Sequence, residues 1–321
     1  MLLVILYGGI FLSALLLFYT IRDLRRPRYF LFRHKILGYC LVAGLTILIL
    51  SGISARLVFP NILVTKSVRL DLPHLNSEIK IAFVSDLQVG MGKETGWIKR
   101  VVEKIVAANP DAVVLGGDLI DNEGGQNEEP YLEPLLDLAK QYPMYYIMGN
   151  HEYGIGGTTR QDIDYQTGDR SEDLRQYFAG QIMELHNSGS IVTNQNGDKV
   201  SIFGFDDIWH QVANYTLYQT AISNTPTLDT VVFAHNPDIA YNWPLEAPKP
   251  PIVISGHTHG GQVRLPFVAP LADAKIQLGD KYYSGLNYYH DIPIYTSVGA
   301  GESAAPIRFL TLPEVIVFTV Y

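Results

Sequence analysis

Cysteine is almost absent from this chain of 321 residues, since Cys40 is the only one. A single cysteine excludes an intrachain disulfide and a zinc site built from several thiolates. Charged residues are also few, at 17%, and acids outnumber bases, so that the net charge is −8. This acidic balance argues against a partner such as nucleic acid, which is bound through a broad basic face. The 47% of hydrophobic residues excludes a disordered or fibrous chain.

The charges are unevenly distributed along the chain. Residues 1–60 have a net charge of +6, whereas residues 61–321 have a net charge of −14. Within the first part, residues 1–20 and 36–55 contain no charged residue. At about 1.5 Å per residue, a helix of either length spans the roughly 30 Å hydrocarbon core of a bilayer. The sequence therefore predicts a two-helix transmembrane anchor over residues 1–60 and a second domain over residues 61–321.

The segment between the two apolar runs, residues 21–35, contains six basic residues against the lone Asp23. The positive-inside rule places such a loop in the cytoplasm, so the domain after residue 60 is expected outside the cytoplasm, in a multi-pass membrane protein. Two alternatives remain for the apolar runs. The first run resembles a helix buried in a protein core, and the second, which a basic stretch precedes, resembles a cleaved signal peptide.

Short apolar runs recur along residues 61–321 and are predicted to be buried strands. They cover residues 79–86, 112–118, 144–150, 200–205, 230–235, 251–257, 292–298 and 314–320. Residues 94–108 place apolar side chains at helical spacing, and residues 130–140 and 171–186 show similar stripes. The alternation of strand and helix predicts an α/β domain with a parallel core and sheets that become mixed toward the end.

Polar residues follow five of these runs directly, where each predicted strand ends. They are Asp86 and Gln88, then Asp118, then Asn150 and His151, then His235, and finally His257 and His259. Because ligands bind beyond the carboxyl ends of strands in open α/β sheets, we expect these side chains to converge. Carboxylate, amide and imidazole groups together suit divalent metal ions. The sequence therefore predicts a centre for two ions that promotes attack on phosphorus.

Taken singly, most of these motifs also have a structural explanation. Gly-Asp is common in turns, and His235 is also compatible with a histidine in a packed core. The segment GHTHGG at residues 256–261 is harder to explain by packing, because two histidines among three glycines fill little space. We expect His257 and His259 to serve neighbouring ions.

The order of these motifs resembles the calcineurin-like metallophosphoesterase superfamily, and the resemblance covers residues 75–321. The segment GHTHGGQVRLPFVAPL at residues 256–271 and the ending APIRFLTLPEVIVFTVY are similar to a membrane-anchored bacterial subgroup. The resemblance implies two packed mixed β-sheets flanked by helices, which form a four-layer sandwich. It also implies hydrolysis of a phosphodiester or pyrophosphate by a metal-bridging hydroxide.

The resemblance further implies a role for each motif residue. One ion would be held by Asp86, Gln88, Asp118 and His259, and the other by Asp118, Asn150, His235 and His257. The shared ligand is Asp118, and the ions would be manganese, zinc or iron. His151 would stand beside the leaving group as a general acid or as a hydrogen-bond donor to phosphate, and Glu152 would orient it.

Gln88 departs from the family pattern, which has histidine at this position. An amide oxygen is a weaker and harder ligand than imidazole, so the first ion should be held more loosely or should be manganese rather than zinc. In the alternative, Gln88 donates a hydrogen bond to a metal-bound water and does not touch the ion.

The main expectation is a membrane-anchored phosphoesterase whose substrate is a phosphoester, a lipid-linked one included, with a role in lipid metabolism. Relatives in the similar subgroup hydrolyse the pyrophosphate of UDP-diacylglucosamine in lipid A synthesis, which is one alternative. That substrate is made in the cytoplasm and requires the opposite topology. A second alternative, which Gln88 favours, is a metal-binding scaffold without activity. The presence of both Asn150 and His151 argues against it, because a scaffold has no need of the histidine.

Overall fold

The computed structural model describes residues 2–72, 75, 77–90, 92–121, 127–155, 168–211, 213–265, 268, 270 and 274–321. Its helices are α1 (Leu2–Leu24), α2 (Phe30–Arg33), α3 (Lys35–Leu57), α4 (Thr95–Ala108), α5 (Glu133–Ala139), α6 (Ser171–Phe178) and α7 (Tyr215–Asn224). Its strands are β1 (Val64–Leu70), β2 (Ile79–Val84), β3 (Ala112–Gly116), β4 (Met144–Ile147), β5 (Met183–Glu184), β6 (Ser188–Thr193), β7 (Lys199–Gly204), β8 (Thr230–Phe233), β9 (Val253–Ser255), β10 (Gly285–Tyr289), β11 (Ile292–Thr296) and β12 (Glu314–Val320).

The strands form two mixed sheets of six strands each. The first has the order β1-β12-β2-β3-β4-β5, and the second has the order β10-β11-β9-β8-β7-β6. Strands β2, β3 and β4 are parallel neighbours, and so are β7, β8 and β9. In each trio the carboxyl ends therefore lie at one edge of the sheet, whereas β12 is antiparallel to β2 and makes the first sheet mixed.

The two sheets pack face to face because successive side chains of a strand point to opposite faces. In β2, Ile81 and Phe83 lie in the core between the sheets, where the ring of Phe83 stacks on that of Phe233 with centroids 5.7 Å apart. Ala82 belongs to the separate core that includes the apolar face of α4. Tyr218 of α7 packs on the second sheet, and the layers are therefore helix, sheet, sheet and helix.

All eight predicted strands are present, and the predicted α/β fold of two mixed sheets flanked by helices is confirmed. Four further strands, β1, β5, β6 and β10, had no counterpart among the predicted runs. Each of them is the edge strand of a sheet. Edge strands expose many of their residues, so no continuous apolar run marks them in the sequence.

The helix predicted over residues 171–186 is wrong beyond residue 178. Helix α6 ends at Phe178, because Ala179 leaves the helical conformation with a ψ of 125° and Gly180 has a φ of 73°, which together form a turn. The chain then enters β5, and the buried side chains of Ile182 and Leu185 pack on opposite faces of the first sheet. These two residues prolong the apolar stripe, which is why the pattern resembled a longer helix.

Helices α1 and α3 are long and apolar enough to cross a membrane, by length and composition. They pack against each other in antiparallel orientation, with Ile10 against Gly52 and Leu24 against Gly38. Most of their apolar surface is otherwise uncovered, which excludes the alternative of a helix buried in a core. Helix α1 extends four residues into the predicted basic loop 21–35, and α2 occupies part of the remainder.

The end of α3 is in contact with the sandwich. Ala55 is buried against Ala305 and Ile307, and the main-chain N–H of Arg308 donates to the carbonyl of Ala55 at 2.9 Å. The predicted boundary at residue 60 lies within a turn of 3-10 helix over Phe59–Asn61. The two parts of the chain therefore meet at a packed contact.

Candidate metal centre

The polar residues expected at the strand ends lie together at one edge of the sandwich. Asp86 follows β2, Asp118 follows β3, Asn150 follows β4, His235 follows β8, and His257 follows β9. Main-chain hydrogen bonds join the loops: the N–H of Asp86 donates to Gly117, and the N–H of Gly256 donates to His235, both at 2.9 Å. The carboxyl ends of the two parallel trios thus face one shared site.

Two groups of buried side chains in this site are arranged as metal ligands would be. Asp118, His235 and His257 form one group, and Asp86, Asp118 and His259 form the other, with ligand atoms within 4.8 Å of one another in each group. The Nε2 atom of His235 is 3.0 Å from Oδ2 of Asp118, and that of His259 is 3.5 Å from Oδ1 of Asp86. Ligand atoms that lie about 2.1 Å from one ion are about 3.0–3.4 Å apart, so these separations fit a bound ion.

Each of the three histidines is oriented through its Nδ1 atom. This atom is 2.8 Å from the Gly116 carbonyl in His235, 2.9 Å from Asn150 Oδ1 in His257, and 3.3 Å from the Gly301 carbonyl in His259. Because an oxygen of this kind only accepts, each Nδ1 carries the proton. The Nε2 lone pairs are then available to a cation, which is the usual arrangement of metal-bound histidine.

The amide side chains of Asn150 and Gln88 also lie in the site. Asn150 donates through Nδ2 to the Ile155 carbonyl, and Gln88 donates through Nε2 to Asp118 at 3.2 Å. Within the described part of the chain, the Gln88 Oε1 atom and the His257 Nε2 atom are buried without a hydrogen-bond partner. Burying a polar atom without a hydrogen-bond partner destabilises the fold by about 1–3 kcal/mol. Both atoms offer electron pairs, so the donor set fits a divalent cation.

Five of the candidate ligands have a backbone conformation that is uncommon for residues other than glycine. The φ angles of Asp86, Gln88, Asp118, His257 and His259 lie between 47° and 70°. Strain of this kind costs about 1–3 kcal/mol per residue and is typical of functional sites. The surrounding structure must therefore stabilise the site in compensation.

Glu152 supplies part of that compensation for Asp118. Its fully buried carboxylate accepts main-chain hydrogen bonds from Gly149 at 2.7 Å, Asp118 at 3.0 Å, Leu119 at 2.7 Å and Ile120 at 3.3 Å. Glycine at position 149 is required, because a Cβ atom there would overlap Oδ1 of Asp118. The hydrogen bonds described for Glu152 thus join the loops after β3 and β4, which differs from the predicted role of orienting His151.

His151 is oriented by a different group. Its Nδ1 atom is 2.7 Å from the Asp121 carbonyl, and its main-chain N–H donates to Asp118 Oδ1 at 2.9 Å. The Nε2 atom of His151 then points toward the centre, 4.0 Å from Asp118 Oδ2. Burial acts to lower the pKa of His151, but the negative charges of Asp118, Asp121 and Glu152 and the hydrogen bond to the Asp121 main chain together outweigh it, so the pKa is raised above its usual value.

Charges within the centre shift the other pKa values strongly. Burial raises the pKa of Asp86 to about 6. Burial also acts to raise that of Asp118, but His235 and His151 outweigh it and lower the pKa. Burial acts to lower the pKa of His235, but Asp118, Asp86 and Asp207 together outweigh it, so the pKa is raised well above its usual value. Burial and the positive His235 lower the pKa of His257 to about 3. Without metal, the centre therefore contains a His235–Asp118 ion pair, and cation binding at His235 requires loss of its proton.

Asp207 follows β7 and lies beside the candidate ligands, although it is not among the residues predicted for the site. Its buried carboxylate accepts from the Trp209 N–H at 2.8 Å, and burial raises its pKa to about 7 although His235 acts to lower it. The ring of Trp209 lies edge-on to that of His257, with centroids 4.6 Å apart. Asp207 is the second residue after the predicted strand of residues 200–205, so its place in the sequence resembles that of the candidate ligands.

Comparisons with known proteins agree with this geometry. Residues 79–261 match the family model of the calcineurin-like phosphoesterases. The chain is 29% identical over 252 residues to the uncharacterized metallophosphoesterase YkuE of Bacillus subtilis (strain 168), which covers 77% of this chain and 81% of that relative. It is 29% identical over 243 residues to phosphodiesterase YaeI of Escherichia coli (strain K12), covering 74% and 80%. It is 26% identical over 254 residues to the Bos taurus "transmembrane protein with metallophosphoesterase domain", covering 76% of this chain and 53% of that relative.

Proposed function

Because the chain belongs to the calcineurin-like phosphoesterase family and is a hydrolase that acts on phosphoester bonds, we propose that it is a membrane-anchored phosphodiesterase with a centre for two metal ions. The observation that carries this proposal is the pair of buried ligand groups that share Asp118. The name of the relative YaeI, a phosphodiesterase, supports the choice of phosphodiesters among phosphoesters.

The proposed ligand sets follow from the positions of the side chains. Asp86, Gln88, Asp118 and His259 would hold one ion, and Asp118, Asn150, His235 and His257 would hold the other. When bound, the two ions would supply a water-derived nucleophile at neutral pH and offset negative charge on the phosphoryl oxygens. The mixed oxygen and nitrogen donors suit manganese, zinc or iron.

His151 is the proposed proton donor to the leaving group. Its Nδ1 atom is engaged with the Asp121 carbonyl, so Nε2 is the atom that faces substrate. The raised pKa of His151 favours a proton on Nε2, which His151 can transfer to the departing oxygen. The same proton can stabilise a phosphoryl oxygen by a hydrogen bond.

The anchor is proposed to cross the membrane twice, with residues 21–35 in the cytoplasm and the domain of residues 61–321 outside it. Support comes from the basic segment between two apolar helices. Val263 follows His259 by four residues and packs in a cluster with Leu3 and Leu6 of α1. The proposed centre is therefore close to the end of the anchor that packs against the sandwich, and hence close to the proposed membrane surface. This position favours a lipid-linked phosphoester as substrate.

Activity of the full chain in detergent tests the proposed chemistry. The protein would be stripped of metal, reloaded with Mn²⁺ and assayed with a chromogenic phosphodiester, a phosphomonoester and a pyrophosphate. We expect Mn²⁺ to restore phosphodiester hydrolysis in the wild type and in Asp137→Asn, which changes an exposed carboxylate paired with Lys140. Asp118→Asn should stay inactive. Absence of hydrolysis of all three substrates, with metal bound, would instead support a scaffold.

A pair of reporters fused after Tyr321 tests the orientation. One reporter is active only outside the cytoplasm and the other only inside it. We expect activity from the outside reporter alone. Activity from the inside reporter alone would reverse the proposed topology and would favour a substrate made in the cytoplasm, such as UDP-diacylglucosamine.

A further inference from the structure

Arg308 is a fully buried arginine in the segment that connects β11 to β12. Arginine is rarely buried to this extent unless its charge is compensated. Its Nη2 atom donates to the carbonyls of Val298, at 2.8 Å, and Gly301. Its Nε atom is 3.4 Å from Oε1 of Glu302, which is buried as well. The guanidinium group thus donates hydrogen bonds to main-chain carbonyls at both ends of one short loop, Val298–Gly301.

The loop Val298–Gly301 lies directly against two candidate metal ligands. The N–H of Ala300 donates to the Ser85 carbonyl at 3.0 Å, and the N–H of Gly301 donates to that of Asp86. The Gly301 carbonyl accepts from Nδ1 of His259. Glycine is required at 301, because a Cβ atom would overlap the Leu87 carbonyl. The loop therefore contacts the residues before and at Asp86 and orients the ring of His259.

The contacts of this loop are confined to one half of the proposed centre. Asp86 and His259 belong to the same ligand group, which shares only Asp118 with the other. Among the described residues, no hydrogen bond of the loop reaches Asn150, His235 or His257. A change in the position of the loop is therefore expected to affect the two ions unequally.

The opposite side of Arg308 is in contact with the end of the apolar helix pair. Its main-chain N–H donates to the Ala55 carbonyl at 2.9 Å, near the end of α3. Lys93 donates to the Pro60 carbonyl at 2.8 Å, and its Nζ atom is 3.4 Å from Glu302. The same Nζ atom lies 3.5 Å from the ring centroid of Trp97, whose Nε1 donates to the Ala300 carbonyl at 3.1 Å. Arg308, Glu302 and Lys93, here called the buried charge cluster, therefore join α3 to the loop.

We propose that Arg308 is a positioning residue for one metal ion, the ion that Asp86 and His259 would hold, and that the end of α3 supports it through the buried charge cluster. The inference rests on the proposed function, because it presupposes a centre for two ions. Arg308 acts through the Gly301 carbonyl, which keeps Nε2 of His259 turned toward Asp86. Its removal weakens the first ion selectively, whereas a general structural role would weaken both ions.

Metal binding by the full chain in detergent tests this selectivity. Mn²⁺ would be titrated into the metal-free wild type, Arg308→Met, Arg308→Lys and Lys93→Met. Calorimetry would measure the affinity for each ion, and electron paramagnetic resonance would detect the signal of two coupled Mn²⁺ ions. We expect Arg308→Met to weaken one ion by about 10–100-fold, the usual effect of losing an outer-shell contact, and to abolish the coupled signal. Arg308→Lys retains the positive charge but lacks the planar guanidinium group, so its affinity for this ion should lie between those of the wild type and Arg308→Met. Lys93→Met should weaken the same ion by a smaller factor.

Two further variants serve as references. Arg175→Met is the matched control, since Arg175 is a partly buried arginine paired with Glu184 and has no described contact with the loop. It should bind both ions as the wild type does. His259→Ala identifies the first ion, and the double variant Arg308→Met with His259→Ala should show no further loss of affinity beyond His259→Ala. That non-additivity is the signature of action through one ligand.

Each outcome decides for or against the inference. Equal weakening of both ions in Arg308→Met, or unchanged binding of both, overturns it while leaving the proposed function intact. If Arg308→Met does not fold, Arg308→Lys and Lys93→Met decide by the same selectivity. A wild type that fails to bind two ions refutes the proposed function itself, and the inference with it.

Discussion

Replacement of Glu152 by glutamine tests how the chain holds its candidate ligands in place. The carboxylate accepts four main-chain hydrogen bonds, two at each oxygen: Leu119 and Ile120 at Oε1, and Asp118 and Gly149 at Oε2. Glutamine has the same shape but only one acceptor oxygen, and its NH₂ group would face two N–H donors. Two bonds to a charged acceptor are therefore lost, while the side chain still fits.

The size of the effect follows from these two bonds. Hydrogen bonds to a charged group contribute about 1.5–3 kcal/mol each, so Glu152→Gln should lower the free energy of unfolding by about 3–6 kcal/mol. For a domain of this size class, about 2–4 °C per kcal/mol gives a fall in Tm of about 6–24 °C. The lower values apply if the amide faces Leu119 and Ile120, because the Ile120 bond is long at 3.3 Å.

Thermal unfolding of the stripped full chain in detergent measures this effect without a contribution from metal. Glu184→Gln is the matched control, because it removes one carboxylate oxygen from a pair with Arg175 that is partly exposed. We expect Glu184→Gln to lower the free energy of unfolding by about 1 kcal/mol or less. If Glu152→Gln unfolds at the wild-type temperature, the four hydrogen bonds do not stabilise the loops, and this result would refute the prediction.

Three further results are expected at the centre itself. Asp118→Ala should lose both ions, because both ligand groups contain Asp118; retention of two ions by dialysis and elemental analysis would contradict this. Gln88→His should tighten one ion and shift the preference toward zinc, and Gln88→Ala should cost less activity than Asn150→Ala; equal Mn²⁺ and Zn²⁺ titrations in all Gln88 variants would show that Gln88 is not a ligand. The pKa of His235 is raised in the folded chain, so its bound proton stabilises the metal-free fold. This stabilisation is complete below the ordinary pKa of histidine and is lost as the pH rises through the pKa of His235 in the folded chain. Metal affinity should therefore rise from pH 6 to 8 with release of a proton, which calorimetry in two buffers of different ionisation heat detects; pH-independent affinity would contradict it.

The central strands could be predicted because their sequences carry the signal of complete burial. In β2, Ile81 and Phe83 face one core and Ala82 faces another, so every position is apolar. The edge strand β1 contains Lys66 and Arg69 and is mostly exposed, so its sequence resembles a surface loop. Its pairing with β12 depends on a partner about 250 residues away in sequence, which no local pattern reveals.

The candidate ligands could be proposed because polar residues directly after apolar runs stand out. The same rule points to Asp207, which was overlooked. By contrast, the roles of Glu152 and Arg308 depend on main-chain groups of other loops, such as the N–H of Leu119 and the carbonyl of Gly301. Any residue type contributes those groups, so the sequence contains no sign of them. The left-handed backbone of several ligands is likewise a consequence of tertiary packing.

The central claim is that phosphoester hydrolysis by this chain requires two metal ions that share Asp118. The most direct measurement is a titration of the stripped full chain with Mn²⁺ in which bound metal and hydrolysis of a chromogenic phosphodiester are followed in the same samples. We expect two ions to bind per chain and hydrolysis to appear only as the second ion binds, with Asp118→Asn inactive throughout. Full activity with one ion or in excess chelator, or equal activity of Asp118→Asn, would contradict the account.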